Sequence, residues 1–274
     1  MGWRIVRHSI VLLFRNFGAA LAVSIGPLAI ALIGIILAGL ALGFSPAGAL
    51  VAPYSFYAMA TLPTDSDPEA AAMMMRVGIL LFVHLAVILL VSAWIAVAWH
   101  RYVLVEEAPG LVPPVRGGTI LGYAGRTILL GLLVVLAAIP LSMVLGLVAA
   151  PALQRPDSLV SQIVVFALSV VIPAVLSWMW LRLGLVLPAR AVGQAFGLGD
   201  SWRATQPAAG PIFAAALLLG LIALGLSLVV PAVFGSGWPG LALQLAANWF
   251  SLMLGISILT ALYGHLVEGR DFPA

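Results

Sequence analysis

VGILLFVHLAVILLVSAWIAVAW, from Val77 to Trp99, is a run of 23 residues whose one ionisable side chain is His84. As an α-helix it rises about 35 Å, enough to cross a hydrocarbon core about 30 Å thick. Lipid offers nothing to hydrogen-bond with a bare backbone, so a run of this length reads as a membrane-spanning helix. Five further runs share the pattern: Leu21 to Gly43, Thr127 to Ala149, Leu159 to Leu183, Pro211 to Phe234 and Leu241 to Leu266. Four of them hold an internal proline (Pro27, Pro140, Pro173, Pro231). Within a membrane such prolines are tolerated where neighbouring helices satisfy the freed carbonyl, and kinks are expected near Pro140 and Pro173.

Composition agrees with the count of spans. Apolar residues make up 64% of the 274 positions and charged residues 8%, with a mean hydropathy of +1.20. Ordinary soluble domains run at about 45–50% and about 25%. Twelve basic and nine acidic side chains cannot clothe a water-soluble surface of this size. The expectation is an all-α polytopic membrane protein of about six transmembrane helices, a single transmembrane domain over 1–274.

The absence of cysteine removes disulfides, thiolate metal sites and thiol nucleophiles. All twelve basic residues are arginine, and they flank apolar runs instead of forming a basic stripe interleaved with aromatics. A nucleic-acid partner is therefore not expected. Arg4, Arg7 and Arg15 ahead of an apolar run would suit a secretory leader, but the run is longer than the 7–15 residues of a leader's apolar region. An uncleaved first span is the expectation.

Arginine also orients the chain. With the N-terminus inside, the inner segments hold Arg4, Arg7, Arg15, Arg101, Arg116, Arg126, Arg182, Arg190, Arg203 and Arg270, and the outer ones only Arg76 and Arg155. By the positive-inside rule both termini are cytoplasmic, and the acidic, proline-rich stretch Leu62 to Glu69 is external. The expected location is a bacterial inner membrane.

The chain then divides into three out-and-back hairpins with related ends. Trp99-His100-Arg101 and Trp180-Leu181-Arg182 recur at an offset of 81, and Tyr263-Gly264-His265 is a weaker echo. Repeats over 1–110, 111–190 and 191–274 follow, against the alternative of chance likeness between apolar helix ends. Ahead of the outgoing spans lie candidate interfacial helices. In Trp3 to Phe17, the residues Trp3, Val6, Ile10, Leu13, Phe14 and Phe17 share one helical face, with Arg4, His8, Arg15 and Asn16 elsewhere. Val115 to Arg126 and Asp200 to Thr205 are shorter candidates, the latter with Asp200 as N-cap.

The basic lead-in Ser9 to Gly18, the paired spans with aromatic-arginine exits, and Ser201-Trp202-Arg203-Ala204-Thr205 before a later span together resemble uncharacterised bacterial membrane proteins similar to the membrane domain of glycerophosphoryl diester phosphodiesterases. In that family the hydrolytic chemistry belongs to a separate soluble barrel, to which nothing in this sequence corresponds. The resemblance implies proximity to lipid metabolism, not catalysis.

Few residues offer chemistry. His84 lies well inside a span, and an intramembrane ionisable group is a functional candidate by default. A neutral histidine bonded to a neighbouring helix is the simpler reading, since no acidic partner shares its depth. His100, Arg101, Arg182 and His265 would ring the inner ends of the returning spans, with Glu106 and Glu107 just beyond. Such a ring could grip a phosphate of an anionic lipid headgroup, because arginine forks onto phosphate oxygens. Anchoring of helix ends at the interface is the plainer alternative. Gln162, Gln244 and Asn248 are amides suited to gluing helices together, and Gly39 with Gly43 forms a small-xxx-small packing pair. No phosphate-binding loop, zinc-protease motif or nucleophile elbow is present, so no catalytic residue, cofactor or metal is expected. The functional expectation is a non-catalytic membrane protein with a scaffold, assembly or envelope and lipid-homeostasis role, its partners the bilayer and its anionic headgroups. The alternative is a small permease or a carrier of lipid or apolar substrates; an intramembrane enzyme ranks third.

Overall fold

A computed structural model describes residues 2–60, 68–110, 112–154, 158–235 and 237–271. No strand occurs among them. Ten α-helices follow in order: α1 (Gly2–Arg15), α2 (Phe17–Ala41), α3 (Pro46–Ala60), α4 (Pro68–Val105), α5 (Gly117–Leu153), α6 (Leu159–Leu183), α7 (Val186–Ala191), α8 (Leu198–Ala204), α9 (Ala209–Phe234) and α10 (Trp238–Leu266). Six helical stretches, containing α2, α4, α5, α6, α9 and α10, are long and apolar enough to cross a membrane. The chain is an all-α polytopic membrane protein.

The six spans pack as three hairpins, α2 on α4, α5 on α6 and α9 on α10. The hairpins close into a ring, because α4 touches both α5 and α10 while α6 packs on α9. Lipid tails are as apolar as leucine, so close packing and polar contacts hold such helices together more than any expulsion of water. Gly39 shows this: a Cβ there would meet the Cβ of Ala49, which lets α3 lie close against α2. Gly43 does different work from the packing expected of it. Its φ of +83° is left-handed, and it turns the chain from α2 into α3.

The arginine-bearing segments meet at one end of the bundle. Arg190 donates to the Gly118 carbonyl at 2.8 Å, Arg126 to that of Val186 at 3.3 Å, and Arg270 to those of Val103 and Leu104 at 3.2 and 2.7 Å. At the opposite end Arg76 approaches the Gly43 turn. Most of the expected acidic loop, Leu62 to Asp67, includes residues outside those described, while Glu69 lies in the first turn of α4.

Several local expectations change. Val115 to Arg126 is not a separate surface helix; from Gly117 it is the first three turns of the continuous α5, which also runs through Pro140. Asp200 is not an N-cap. The cap of α8 is Gly197, whose N–H donates to the Asp200 carboxylate at 2.9 Å from three residues upstream. Helix α1 packs on α9 and α10, and its apolar face divides between two surroundings. Ile5, Val6, Ser9 and Leu13 are buried in the bundle, and a Cβ on Gly2 would meet Ala214 and the Pro211 carbonyl. Trp3, Phe14 and Phe17 stay exposed, beside exposed Arg4, Arg7 and Arg15.

Candidate functional site

The residues expected to form a phosphate-gripping ring are found at the arginine end, but each is engaged within the protein. His100 is fully buried between three helices. Its Nδ1 lies 2.8 Å from Thr260 Oγ1 on α10 and its Nε2 3.2 Å from the Tyr123 hydroxyl on α5. Thr260 spends its own proton on the Ile256 carbonyl at 2.8 Å. The assignment that satisfies every donor therefore places the histidine proton on Nδ1 and has Tyr123 donating to Nε2. His100 is a neutral tie between helices.

Arg101, one residue on, points away from that core. Its Nε donates to Glu107 at 2.6 Å and its Nη1 to the Ala191 carbonyl at 3.1 Å. Arg116 meets the same carboxylate at 3.1 Å. Glu106 makes this geometry by turning the chain with φ 55°, an uncommon value for a residue with a side chain. Burial pushes the Glu107 carboxyl up, but the hydrogen bonds and charges of Arg101 and Arg116 outweigh it and hold the group below its usual range.

Arg182 is almost as enclosed as His100, 4% exposed. Its guanidinium lies 3.5 Å from the Trp202 ring centroid and 5.1 Å from that of Trp178, and it donates to the Trp202 carbonyl at 3.0 Å and to Thr205 Oγ1 at 3.3 Å. The segment Ser201 to Thr205 is thus the lid over the end of α6, with the Ser201 hydroxyl donating to the Arg182 carbonyl at 2.7 Å. His265 sits half-buried at the end of α10, its Nδ1 2.8 Å from the Arg270 carbonyl. These four side chains form a structural clasp.

Between α5, α6, α9 and α10 lies a feature of another kind. Both α6 and α10 pack on α9, and they converge at the arginine end, where a Cβ on Gly184 would come 2.8 Å from Leu259 Cδ2. Away from that point they part around a cavity of about 580 Å³, lined by Ser169, Pro173 and Ser177 of α6, Gly220 and Ser227 of α9, and Gln244, Asn248 and Ser251 of α10. Two smaller cavities share its walls. One of about 290 Å³ has Ser177 and Leu219 in common with it, and one of about 260 Å³ has Ser251. Trp180 and Gly255 join those two to each other. Together these three adjoining cavities are termed the chamber, the smallest of them reaching Tyr123 and Leu187. The smallest cavity is lined in part by Leu187 of α7, a short helix packed on α4, α5 and α10 with Leu187 and Pro188 buried.

The chamber is mainly apolar, and its hydrogen-bonding groups are uncharged. None of the described residues lining it is ionised at neutral pH. Ser169 and Ser227 donate to carbonyls of their own helices at 2.7 and 2.8 Å, which leaves their oxygens as acceptors. Gln244 and Asn248 were expected to bridge helices; they bond instead to each other along α10, Nε2 to Oδ1 at 3.0 Å. The Gln244 carbonyl and the Asn248 amino group make no further hydrogen bond among the described residues. Gln244 lies six residues, about 9 Å, and Asn248 ten residues, about 15 Å, from the start of α10, so the pair stands in the outer part of the span, Gln244 half-buried and Asn248 exposed. Their unused donor and acceptor, presented to the cavity from within an apolar span, are candidates for a ligand's hydrogen bonds. The signal was present in the sequence as Gln244, Asn248, Ser251 and Gly255, spaced as one helical stripe. Gln162 is exposed at the start of α6 and His84 is half-buried on α4; neither lines the chamber.

No family model matches the chain, and neither a curated protein nor a solved structure matches it.

Proposed function

We propose that this chain is a non-catalytic membrane protein with a role in envelope or lipid homeostasis, and that it does so by receiving a membrane-resident molecule in the chamber between α6, α9 and α10. The observation that carries the reading is the chamber's lining: neutral hydrogen-bonding side chains on helices long and apolar enough to cross a membrane. The charged side chains at the arginine end support it from the other direction. Arg101, Arg182 and Glu107 hold helices together, an arrangement suited to a rigid frame. The resemblance to membrane domains of glycerophosphoryl diester phosphodiesterases points the same way. Exposed Arg4, Arg7 and Arg15 beside exposed Trp3 and Phe14 would hold α1 against anionic headgroups of the cytoplasmic leaflet of a bacterial inner membrane.

One observation favours the alternative of a carrier for lipid or apolar substrates. A separate short helix, α7, borders the chamber at the arginine end through Leu187, where a carrier's pathway would have to continue. The reading is tested in cells lacking the protein, by comparing the lipid composition of their membranes with that of cells in which it is restored. A changed composition that returns to normal on restoration is expected. An unchanged composition would overturn the role in lipid homeostasis.

A further inference from the structure

We infer that the chamber is a binding site for an uncharged glycerolipid bearing a free hydroxyl, of the diacylglycerol class. This rests on the reading above only in taking the chamber as a binding site, and it goes on to name the ligand's chemistry.

Charge decides the first step. A phosphate-bearing or cationic headgroup brought to the depth of Asn248 needs a counter-charge or water, because desolvating an unpaired ion is far more costly than desolvating an amide. The described lining residues include no arginine, histidine or carboxylate. The lining thus gives a charged headgroup no counter-charge and favours an uncharged one, while a wholly hydrocarbon guest would leave the spare donor of Asn248 and acceptor of Gln244 unused.

Donors and acceptors decide the second step. The Asn248 amino group can donate to an ester carbonyl, and the Gln244 carbonyl can accept a proton from a hydroxyl. The two amides are fixed relative to each other by their own 3.0 Å hydrogen bond, so donor and acceptor are presented at a set spacing. Ser169 and Ser227, each already donating to its own helix, offer further acceptor oxygens from the facing walls. A molecule with an ester and a hydroxyl a few bonds apart satisfies both amides at once.

Shape decides the third. At about 580 Å³ the main cavity is of the size that takes a small ligand, here a glycerol backbone and the first part of its chains. The rest can leave sideways between α6 and α10, whose flanking residues Phe166 and Leu245 are 63% and 60% exposed. The narrower space toward Tyr123 and Leu187 is apolar enough to receive the end of one chain.

The test uses the purified full-length protein in vesicles of phosphatidylcholine containing a trace of photoactivatable diacylglycerol, with photoactivatable phosphatidic acid of the same chain length in parallel. Illumination and peptide mapping should place diacylglycerol crosslinks on α6 and α10. Excess unlabelled diacylglycerol should reduce them at least fivefold, and excess phosphatidylcholine should not. The doubly substituted Gln244→Leu, Asn248→Leu protein should lose them by a similar factor. Equal labelling of the chamber by the phosphatidic acid probe, or labelling that unlabelled diacylglycerol does not reduce, would overturn the inference. The competition arm uses unaltered protein, so the inference stays refutable even if the leucine variant fails to fold. Lack of crosslinking alongside a lipid change in cells lacking the protein would sink the ligand assignment and leave the homeostasis reading standing.

Discussion

Replacing His100 by leucine tests whether the arginine end is a clasp or a headgroup site. His100 is 0% exposed and Tyr123 5%, and each is the other's hydrogen-bonding partner at 3.2 Å. Removing the imidazole leaves the Tyr123 hydroxyl a buried donor with nothing to receive it, at a cost of about 1–3 kcal/mol. Tyr123→Phe has the mirror-image effect, since Nε2 loses its proton donor. Removing both leaves no orphan between positions 100 and 123, and the lost bond to Thr260 is common to the single His100 variant and the double, so the double variant should be less unstable than the sum of the singles. Hydrogen bonds between membrane helices couple by about 0.6 kcal/mol on average and up to about 1.7. Full burial and the second bond from His100 to Thr260 place this pair near the upper figure, at about 1–2 kcal/mol. The assay is a double-variant cycle on the purified protein, unfolded by increasing SDS in mixed micelles and followed by tryptophan fluorescence. Coupling below about 0.3 kcal/mol would refute the clasp. A headgroup-binding histidine would instead leave stability unchanged and alter lipid binding.

Two further outcomes follow from the same structure. Glu107 has a depressed carboxyl pKa relative to its ordinary 4.5, so its pairing with Arg101 and Arg116 contributes stability above that value and loses it as pH falls through the folded one. Glu107→Gln should therefore be less stable than the parent by about 0.5–1 kcal/mol at pH 7, with the gap shrinking as acidification below the ordinary 4.5 protonates the folded carboxyl in SDS-unfolding curves; a gap that acidification leaves unchanged would assign its effect to shape. For topology, the cysteine-free background allows single labels: Thr64→Cys should react with an impermeant maleimide in intact cells and Gly118→Cys should not, and protection of the first would reverse the orientation drawn from arginine.

The spans were legible because the need to satisfy every backbone group in lipid leaves only long apolar helices, and run length is visible in sequence. What run length cannot show is where an apolar segment turns aside. Helix α7, Val186 to Ala191, follows the span before it after only two residues, and its burial against α4, α5 and α10 is what sets it apart from a trailing helix end. The inward or outward sense of neighbours was equally hidden. His100 and Arg101 are consecutive, yet a helix turns about 100° per residue, which sends the imidazole to Thr260 and the guanidinium to Glu107. Their adjacency in sequence does not show that turn. In Ser201 to Thr205 the tryptophan and threonine were visible, but not that Trp202 would stack on Arg182. Gln244 and Asn248 were noticed as amides in a span; that they line a space instead of bridging helices depends on α6 and α10 parting around α9.

The central claim, a chamber at membrane depth that receives lipid, is tested most directly by a nitroxide at position 251. Ser251→Cys provides a single attachment point where two of the cavities meet. Power-saturation EPR in vesicles then compares collision of the label with oxygen, which concentrates in hydrocarbon, and with a nickel chelate, which stays in water. High oxygen and low nickel accessibility is the predicted result, with oxygen accessibility falling when diacylglycerol is added. High nickel accessibility that diacylglycerol leaves unchanged would make the chamber a water-filled vestibule and contradict the account.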